Sequence, residues 1–159
     1  MTVSMILEDI SQLPKMQRIL GLDLGEKTIG VALSDILQTI ASPVEIIKRK
    51  KYTIDVERVF ALIDQHKVDT VVIGLPVNMD GTEGPRCQSV RQFGRNMLKT
   101  SPEVQIYYQD ERMSSQAVAR TMDMAAMTHT RQKELVDKLA ASYILQGALD
   151  RARIANSHA

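Results

Sequence analysis

The sequence predicts a single α/β domain built on a mixed five-stranded sheet. Two observations carry that expectation. Apolar runs of strand length alternate with segments of helical period. The first three strands are joined by links short enough for antiparallel returns only, whereas the later strands are separated by helical crossovers, which make them parallel to the first. At 159 residues, 44% hydrophobic and 25% charged, the chain can bury one proper core and leaves little room for a second.

The first strand, Arg18 to Leu24, is almost continuously apolar, as expected of a strand covered on both faces. Gly25, Glu26 and Lys27 make a short turn, and Thr28 to Leu33 reads as the returning strand. A third strand runs from about Thr39 to Ile47. Pro43 inside it cannot donate to a ladder, so this strand belongs on a sheet edge. The period then changes: Val56, Val59, Phe60 and Ile63 recur at helical spacing after a cap expected at Thr53. Thr70 to Ile73 is a short β-branched strand ending at Gly74.

A loop rich in glycine and proline follows, and Pro85 suits the first position of a helix reaching about Lys99. Val104 to Tyr108 is the fifth strand. Ser114 is placed to cap a short helix to about Met122. A last helix spans about Arg131 to Arg151, with Val136, Leu139, Ala140, Tyr143, Ile144 and Ala148 expected to face inward. The domain is therefore 18–153, flanked by a leader over 1–17 and a tail over 154–159.

Cys87 is the lone cysteine, which excludes an internal disulfide and a thiolate metal cluster. A reducing, cytoplasmic setting is the simplest expectation. No apolar run approaches membrane-spanning length, so no membrane partner is expected. The leader carries Glu8 and Asp9 where a signal peptide needs an apolar core. A net charge of +1 means that any nucleic-acid footprint must come from local clustering.

Three acids stand in unusual places. Asp23 interrupts the most apolar strand, where an uncompensated charge costs several kcal/mol. Its ordinary readings are an outward-pointing side chain at the strand end or a cap on the following turn. Glu111 follows the fifth strand within Asp110-Glu111-Arg112, where the ordinary reading is a solvated acid paired with Arg112. Asp137 lies in the first turns of the last helix, where an acid complements the macrodipole. Taken singly, each ordinary reading is favoured; topology changes the balance. Strands one and five run parallel, so Asp23 and Glu111 fall at the same carboxyl-end edge, where open α/β sheets place their sites. A helix beginning over that edge brings Asp137 within reach. Carboxylates so close repel unless cations neutralise them. Oxygen ligands favour Mg²⁺ or Mn²⁺, and two such ions about 4 Å apart activate water and stabilise the leaving oxygen of a phosphodiester.

The basic residues suggest where a polyanion would lie. No acid occurs from Arg86 to Lys99, and Arg91, Arg95 and Lys99 recur every four residues as one helical stripe, whose ordinary reading is a solvated face. Arg86 stands in the first helical turn, where a cation opposes the macrodipole unless an anion is held there. Lys27 and Arg112 flank the carboxylates and are candidates to contact a scissile phosphate. Lys48, Arg49, Lys50 and Lys51 form a second basic run, read as a loop. His129 is read as a surface residue. Aromatics are sparse and tryptophan is absent, so broad stacking platforms for single strands are not indicated.

Ile19-Leu20-Gly21-Leu22-Asp23-Leu24-Gly25 with Thr28-Ile29-Gly30-Val31-Ala32 resembles the opening of the YqgF family. So do Val72-Ile73-Gly74-Leu75-Pro76 with Asn78-Met79-Asp80-Gly81-Thr82-Glu83-Gly84-Pro85, then Asp110-Glu111-Arg112, and Asp137-Lys138-Leu139-Ala140-Ala141. The resemblance covers nearly all of Arg18 to Arg151. It implies a ribonuclease H-like fold with strand order 3-2-1-4-5, and metal binding by Asp23, Glu111 and Asp137. It also implies cytoplasmic hydrolysis at the 5′ end of a pre-16S ribosomal RNA; the family was first grouped with Holliday-junction resolvases.

The leading expectation is thus a metal-dependent nuclease acting on structured RNA, as a monomer or weak homodimer. One alternative keeps the enzyme and makes four-way DNA junctions the substrate, for which a symmetric dimer is usual. Another is a ribosomal-RNA-binding module without turnover. A sugar-kinase-like ATPase would need two such domains, for which the chain is too short.

Overall fold

The structure, a computed structural model, describes residues 12–113 and 128–157; within the last helix it leaves out the side chains of 129, 130, 132–134, 136 and 137. Three strands come first: β1 (Ile19–Leu24), β2 (Thr28–Ser34) and β3 (Ala41–Lys48). They are followed by α1 (Tyr52–His66), β4 (Thr70–Leu75), α2 (Pro85–Thr100), β5 (Gln105–Asp110), a single 3-10 turn (Glu111–Met113) and α3 (His129–Ser157). The helix expected over Ser114 to Met122 falls outside the described residues. The sheet order is β3-β2-β1-β4-β5, with β1 antiparallel to β2 and parallel to β4, and β4 parallel to β5. This is the ribonuclease H-like order that the resemblance implies.

Alternation along the strands divides the core in two. Leu20, Leu22 and Leu24 of β1 pack with Val56, Val59 and Leu62 of α1 and with Val90, Phe93 and Met97 of α2. On the opposite face, Ile19, Val72 and Tyr107 pack with Ala141, Leu145, Ala148 and Leu149 of α3. Leu13, at the end of the expected leader, is buried in this second cluster, and the Tyr107 hydroxyl donates to the Gln12 carbonyl. Residues 12 and 13 are therefore fastened to the domain.

Pro43 lies on an edge strand, and the ladder shifts register beside it, between Val31 and Ala32. A missing donor and a bulge at one place both discourage a further strand from pairing there. No helix among the described residues is long and apolar enough to cross a membrane.

Three boundaries differ markedly from expectation. Helix α1 starts at Tyr52, with Lys51 as N-cap, rather than after Thr53. Its start is secured by buried Asp55, which accepts from the Lys50 backbone N–H at 3.0 Å and pairs with Arg49 at 3.6 Å. Strand β5 continues two residues past Tyr108, because the polar Gln109 and Asp110 are buried against arginines: Arg151 donates to Gln109, and Arg112 grips Asp110. Helix α3 runs to Ser157, so most of the expected tail is helical.

The buried face of α3 is also turned from the expected one. Ile144 and Ala148 are buried as expected, but Ala141, Leu145, Leu149 and Ala152 complete the stripe, and Leu139, Ala140 and Tyr143 are only half-buried. Val136 lies among the undescribed side chains. Glycines on β1 and β2 set this face. A Cβ on Gly21 would lie 2.8 Å from the Leu145 Cβ, and one on Gly30 would lie 3.4 Å from the Ala141 Cβ. The small Ala141 and the two glycines let the helix axis approach the sheet.

Helix α2 is held close on the other face in a similar way. A Cβ on Gly94 would lie 2.2 Å from the hydroxyl oxygen and 3.2 Å from Cζ of Tyr108, a ring only 1% exposed. Alanine ordinarily gains about 1 kcal/mol over glycine inside a helix, whereas overpacking costs about 1–3 kcal/mol. The fixed ring puts this contact at the upper end. Gly94→Ala is therefore expected to lower the midpoint of urea unfolding; an unchanged or raised midpoint would show that Tyr108 yields.

Candidate active site

Asp23 is the fifth residue of β1, opposite Gly30 of β2 in the antiparallel register. It alternates with Leu22 and Leu24 and so stands on the α3 face; a Cβ on Gly30 would lie 3.7 Å from its own Cβ. Glu111 is the first residue after β5. Between β1 and β5 lies β4, and at the level of the two acids its residue is Gly74, paired with Gln109. A Cβ on Gly74 would come within 2.9 Å of Glu111 Oε2 and 2.7 Å of the Ile144 Cδ1. The glutamate thus folds back across the bare β4 backbone toward β1.

Both acids are half-buried. The Glu111 carboxyl is pushed up to about 7, first by loss of water around it and then by the negative charge of Asp23; Arg86 draws it down, and Asp110 adds a further upward push. The acids expected at one sheet edge are therefore brought into each other's field. The ordinary reading of Glu111, a partner for Arg112, does not hold: Arg112 binds Asp110 instead, with Nη2 to Oδ2 at 2.6 Å and Nε to both oxygens. Position 137 is one helical turn before Ala141, the residue over Gly30. The Asp137 side chain lies outside the described residues. Among the described residues no group of three or more potential ligands is assembled.

The expected cations divide into two sets. Arg112 is committed to Asp110, and its Nη1 also donates to the Met79 carbonyl at 3.2 Å. Arg91 forms a two-pronged pair with Glu83 at 2.7 Å through both nitrogens, and its guanidinium sits 5.0 Å over the Tyr108 ring. Arg95 is half-buried and donates to Gln92. Lys27 and Arg86 are exposed. Arg86 follows Pro85 at the start of α2, whose N-cap is Gly84 with no side-chain cap, and its charge reaches Glu111. A cavity of about 230 Å³ opens beside it, lined by Leu24, Gly25, Arg49, Ser89 and Phe93 among others.

Three features escaped the sequence reading. The sequence marks Gly74 as a strand end and a motif residue without a spatial role; a glycine closing an apolar parallel strand is a signal for close approach. Arg49 was placed in a loop, yet it donates to the Gly25 carbonyl at 2.7 Å while pairing with Asp55, and so ties the β1–β2 turn beside Asp23 to helix α1. Glu83 is legible as a motif residue but its pairing is not, because its partner Arg91 lies eight residues on, inside the next helix.

Comparison with known proteins bears on both fold and site. A family model described as "RuvX: Holliday junction resolvase" matches residues 17–151. A protein of Caulobacter vibrioides named "Putative pre-16S rRNA nuclease" is 50% identical over 149 residues, covering 92% of this chain and 96% of that one. A protein of Paramagnetospirillum magneticum with the same name is 52% identical over 143 residues, 90% of this chain and 92% of its own. Among solved structures, Thermus thermophilus RuvC in complex with a Holliday junction substrate superposes with a TM-score of 0.57 at 16% identity, covering 87% of this chain and 96% of that one, a likeness of fold. The match spans both acids at the sheet edge and the helix that carries Asp137, and the chain belongs to the RuvX family.

Proposed function

We propose that this chain is a divalent-metal-dependent nuclease that cuts the precursor of 16S ribosomal RNA at its 5′ end, with Asp23, Glu111 and Asp137 as its metal-holding acids. The observation that carries the reading is the Asp23–Glu111 pair, two half-buried carboxyls in one another's field with that of Glu111 raised to about 7. The names of the half-identical relatives support the substrate. The free thiol of buried Cys87 suits the cytoplasm, where ribosomal precursors are processed.

The donor set fits a hard cation: its oxygens are carboxylates, and a divalent charge would offset the burial and the repulsion from Asp23 that together raise Glu111. Mg²⁺ or Mn²⁺ bound there would supply charge neutralisation and an activated water. The chain's own residues do the rest. Glu111 Oε2, folded over Gly74, gives up its proton when the pair becomes a ligand, so cation affinity rises with pH through neutrality. Arg86, exposed at the uncapped start of α2, offers a guanidinium to a substrate phosphate beside the acids. Lys27, on the β1–β2 turn, offers a second charge, and Arg95 a third further along α2. Arg91 and Arg112 contribute through their ion pairs, which fix α2 and the strand exit that these contacts need. In the hydrolysis, water adds to phosphorus, the bond to one bridging oxygen breaks, and that oxygen leaves with a proton.

A second reading, cleavage of four-way DNA junctions, is favoured by the description of the family model. The two separate on substrate and symmetry. A monomer that cuts the RNA precursor and leaves junctions intact would rule the second out, and a junction-bound dimer that cuts DNA alone would rule out the first.

Two outcomes follow from the acid pair. Asp23→Asn and Glu111→Gln are each expected to reduce Mn²⁺-dependent cleavage of a pre-16S transcript by at least about 100-fold while leaving the fold intact, since a lost ligand should exceed the 10–100-fold typical of residues behind it. Undiminished activity in both, with or without metal, would contradict the mechanism. The second concerns stability without metal. Below pH 4.5 Glu111 is protonated whether the chain is folded or not; between its ordinary 4.5 and about 7 the folded protein holds a proton that the unfolded chain has lost. Stability therefore falls as pH rises through that window and levels off above it. Glu111→Gln removes this penalty, so urea unfolding should show the variant gaining on the wild type from pH 4.5 to pH 8. A difference that is independent of pH would show that Glu111 titrates normally.

A further inference from the structure

The segment from Pro76 to Gly84, between β4 and α2, leads from the strand beneath Glu111 to the helix that presents Arg86. It has no regular secondary structure, yet it is closely braced. Asn78 N–H donates to the Thr82 carbonyl, and Gly81 N–H to the Asn78 carbonyl, each at 2.9 Å. Asp80 Oδ1 accepts from both the backbone N–H and the hydroxyl of Thr82, and the Asn78 amide donates to that same hydroxyl. Gly81 turns the chain with φ of 90°, a backbone state that suits glycine. The segment is fixed at two further points. Glu83 holds Arg91 on α2, and the Met79 carbonyl accepts from Arg112, the neighbour of Glu111.

At the tip stands Met79, 86% exposed, the highest value among the exposed large apolar side chains of the described residues. An isolated exposed apolar side chain is ordinary. This one differs in two respects: the backbone beneath it is locked by the bonds above, and one of those bonds joins its own carbonyl to Arg112, the residue that follows Glu111 in the chain. A flexible loop would let an apolar tip fold away. Here the braced backbone holds the thioether out in water, on a segment that leads from the strand beneath Glu111 and is tied to Arg112.

We propose that Met79 is a wedge that enters the base stack of the nucleic acid next to the bond being cut, at a boundary between paired and single-stranded segments. Resting on the nuclease reading, the proposal adds a substrate feature to it: the chain selects a site where one base step can open. Methionine suits the task because a polarisable unbranched thioether fits between bases of any identity, and apolar side chains inserted at a base step unstack it and kink the strands. Arg86 and Lys27 would hold phosphates and so position the strand; the wedge adds a response to whether a base step can open. The aspartate, asparagine and threonine of the segment serve to hold the wedge in place.

The test uses an RNA hairpin with a single-stranded 5′ tail and 2-aminopurine at the junction step, together with an unstructured RNA of the same length. Binding is read in the full chain carrying Asp23→Asn, so that no cleavage intervenes, and cleavage in the otherwise wild-type chain with Mn²⁺. Met79 should raise the 2-aminopurine fluorescence on binding. Met79→Ala should abolish that rise and lower kcat/KM for the hairpin roughly tenfold, the size expected for loss of one stacking contact, with the unstructured RNA cut as before. Met79→Leu, of similar volume, should restore both signals, and the melting temperature should move by no more than about 1 °C for a surface change. The proposal is overturned if Met79→Ala keeps the fluorescence rise, if both RNAs lose activity equally, or if no rise occurs with Met79 in place. Because the binding arm needs no turnover, it judges the wedge even where the nuclease reading fails, and loss of all cleavage by the wild type would tell against that reading alone.

Discussion

The burial of Glu111 beside the negative charge of Asp23 is the constraint on which the rest of the site depends. Two parallel strand ends bring the acids to one edge, and β4 between them presents only the bare backbone of Gly74 at their level. With a side chain at that position, Glu111 could not fold back toward β1. Burial and the Asp23 charge together hold the Glu111 carboxyl at about 7, so the folded protein keeps a site that destabilises it at neutral pH. Strain of this kind persists where the surrounding structure over-determines it. Here the surroundings are β1, buried on both faces, and a long helix seated on glycines.

The arginines around the pair show how a chain of net charge +1 can present a local anion site. Arg112 neutralises Asp110, which keeps a third acid from adding its full charge to the site, and so Arg112 is not the partner of Glu111. Arg91 fastens the start of α2 to the loop before it, while its face covers Tyr108. Arg49 joins the β1–β2 turn to α1. Beside these braced cations, Arg86 at the start of α2 and Lys27 on the β1–β2 turn stand exposed. The sequence stripe Arg91, Arg95, Lys99 suggested one uniform face, but its members have unequal tasks.

Much of the fold was legible in the sequence because its signals are local. Continuous apolar strands, short links and the proline of β3 give the strand directions and the edge, and the family resemblance implies the order that the sheet shows. Asp23 stood out because a charge inside an apolar strand demands a reason. What escaped depends on partners distant in sequence. Gln109 and Asp110 look like loop residues until Arg151 and Arg112 are placed beside them. The buried face of α3 was misplaced by one residue step, since its own periodicity is ambiguous and the glycines of β1 and β2 decide it. The start of α1 was assigned to a threonine cap, whereas Asp55 within the helix secures it. The role of Asp137 rests on its motif and its helical position alone.

The most direct test of the central claim is a carboxyl-carbon NMR titration of Glu111 in the full chain, with and without Mg²⁺. Without metal the resonance should titrate with a midpoint near 7, and saturating Mg²⁺ should move that midpoint well below its ordinary range. A midpoint at the usual glutamate value, with no response to Mg²⁺, would mean that the two acids neither feel each other nor share a cation.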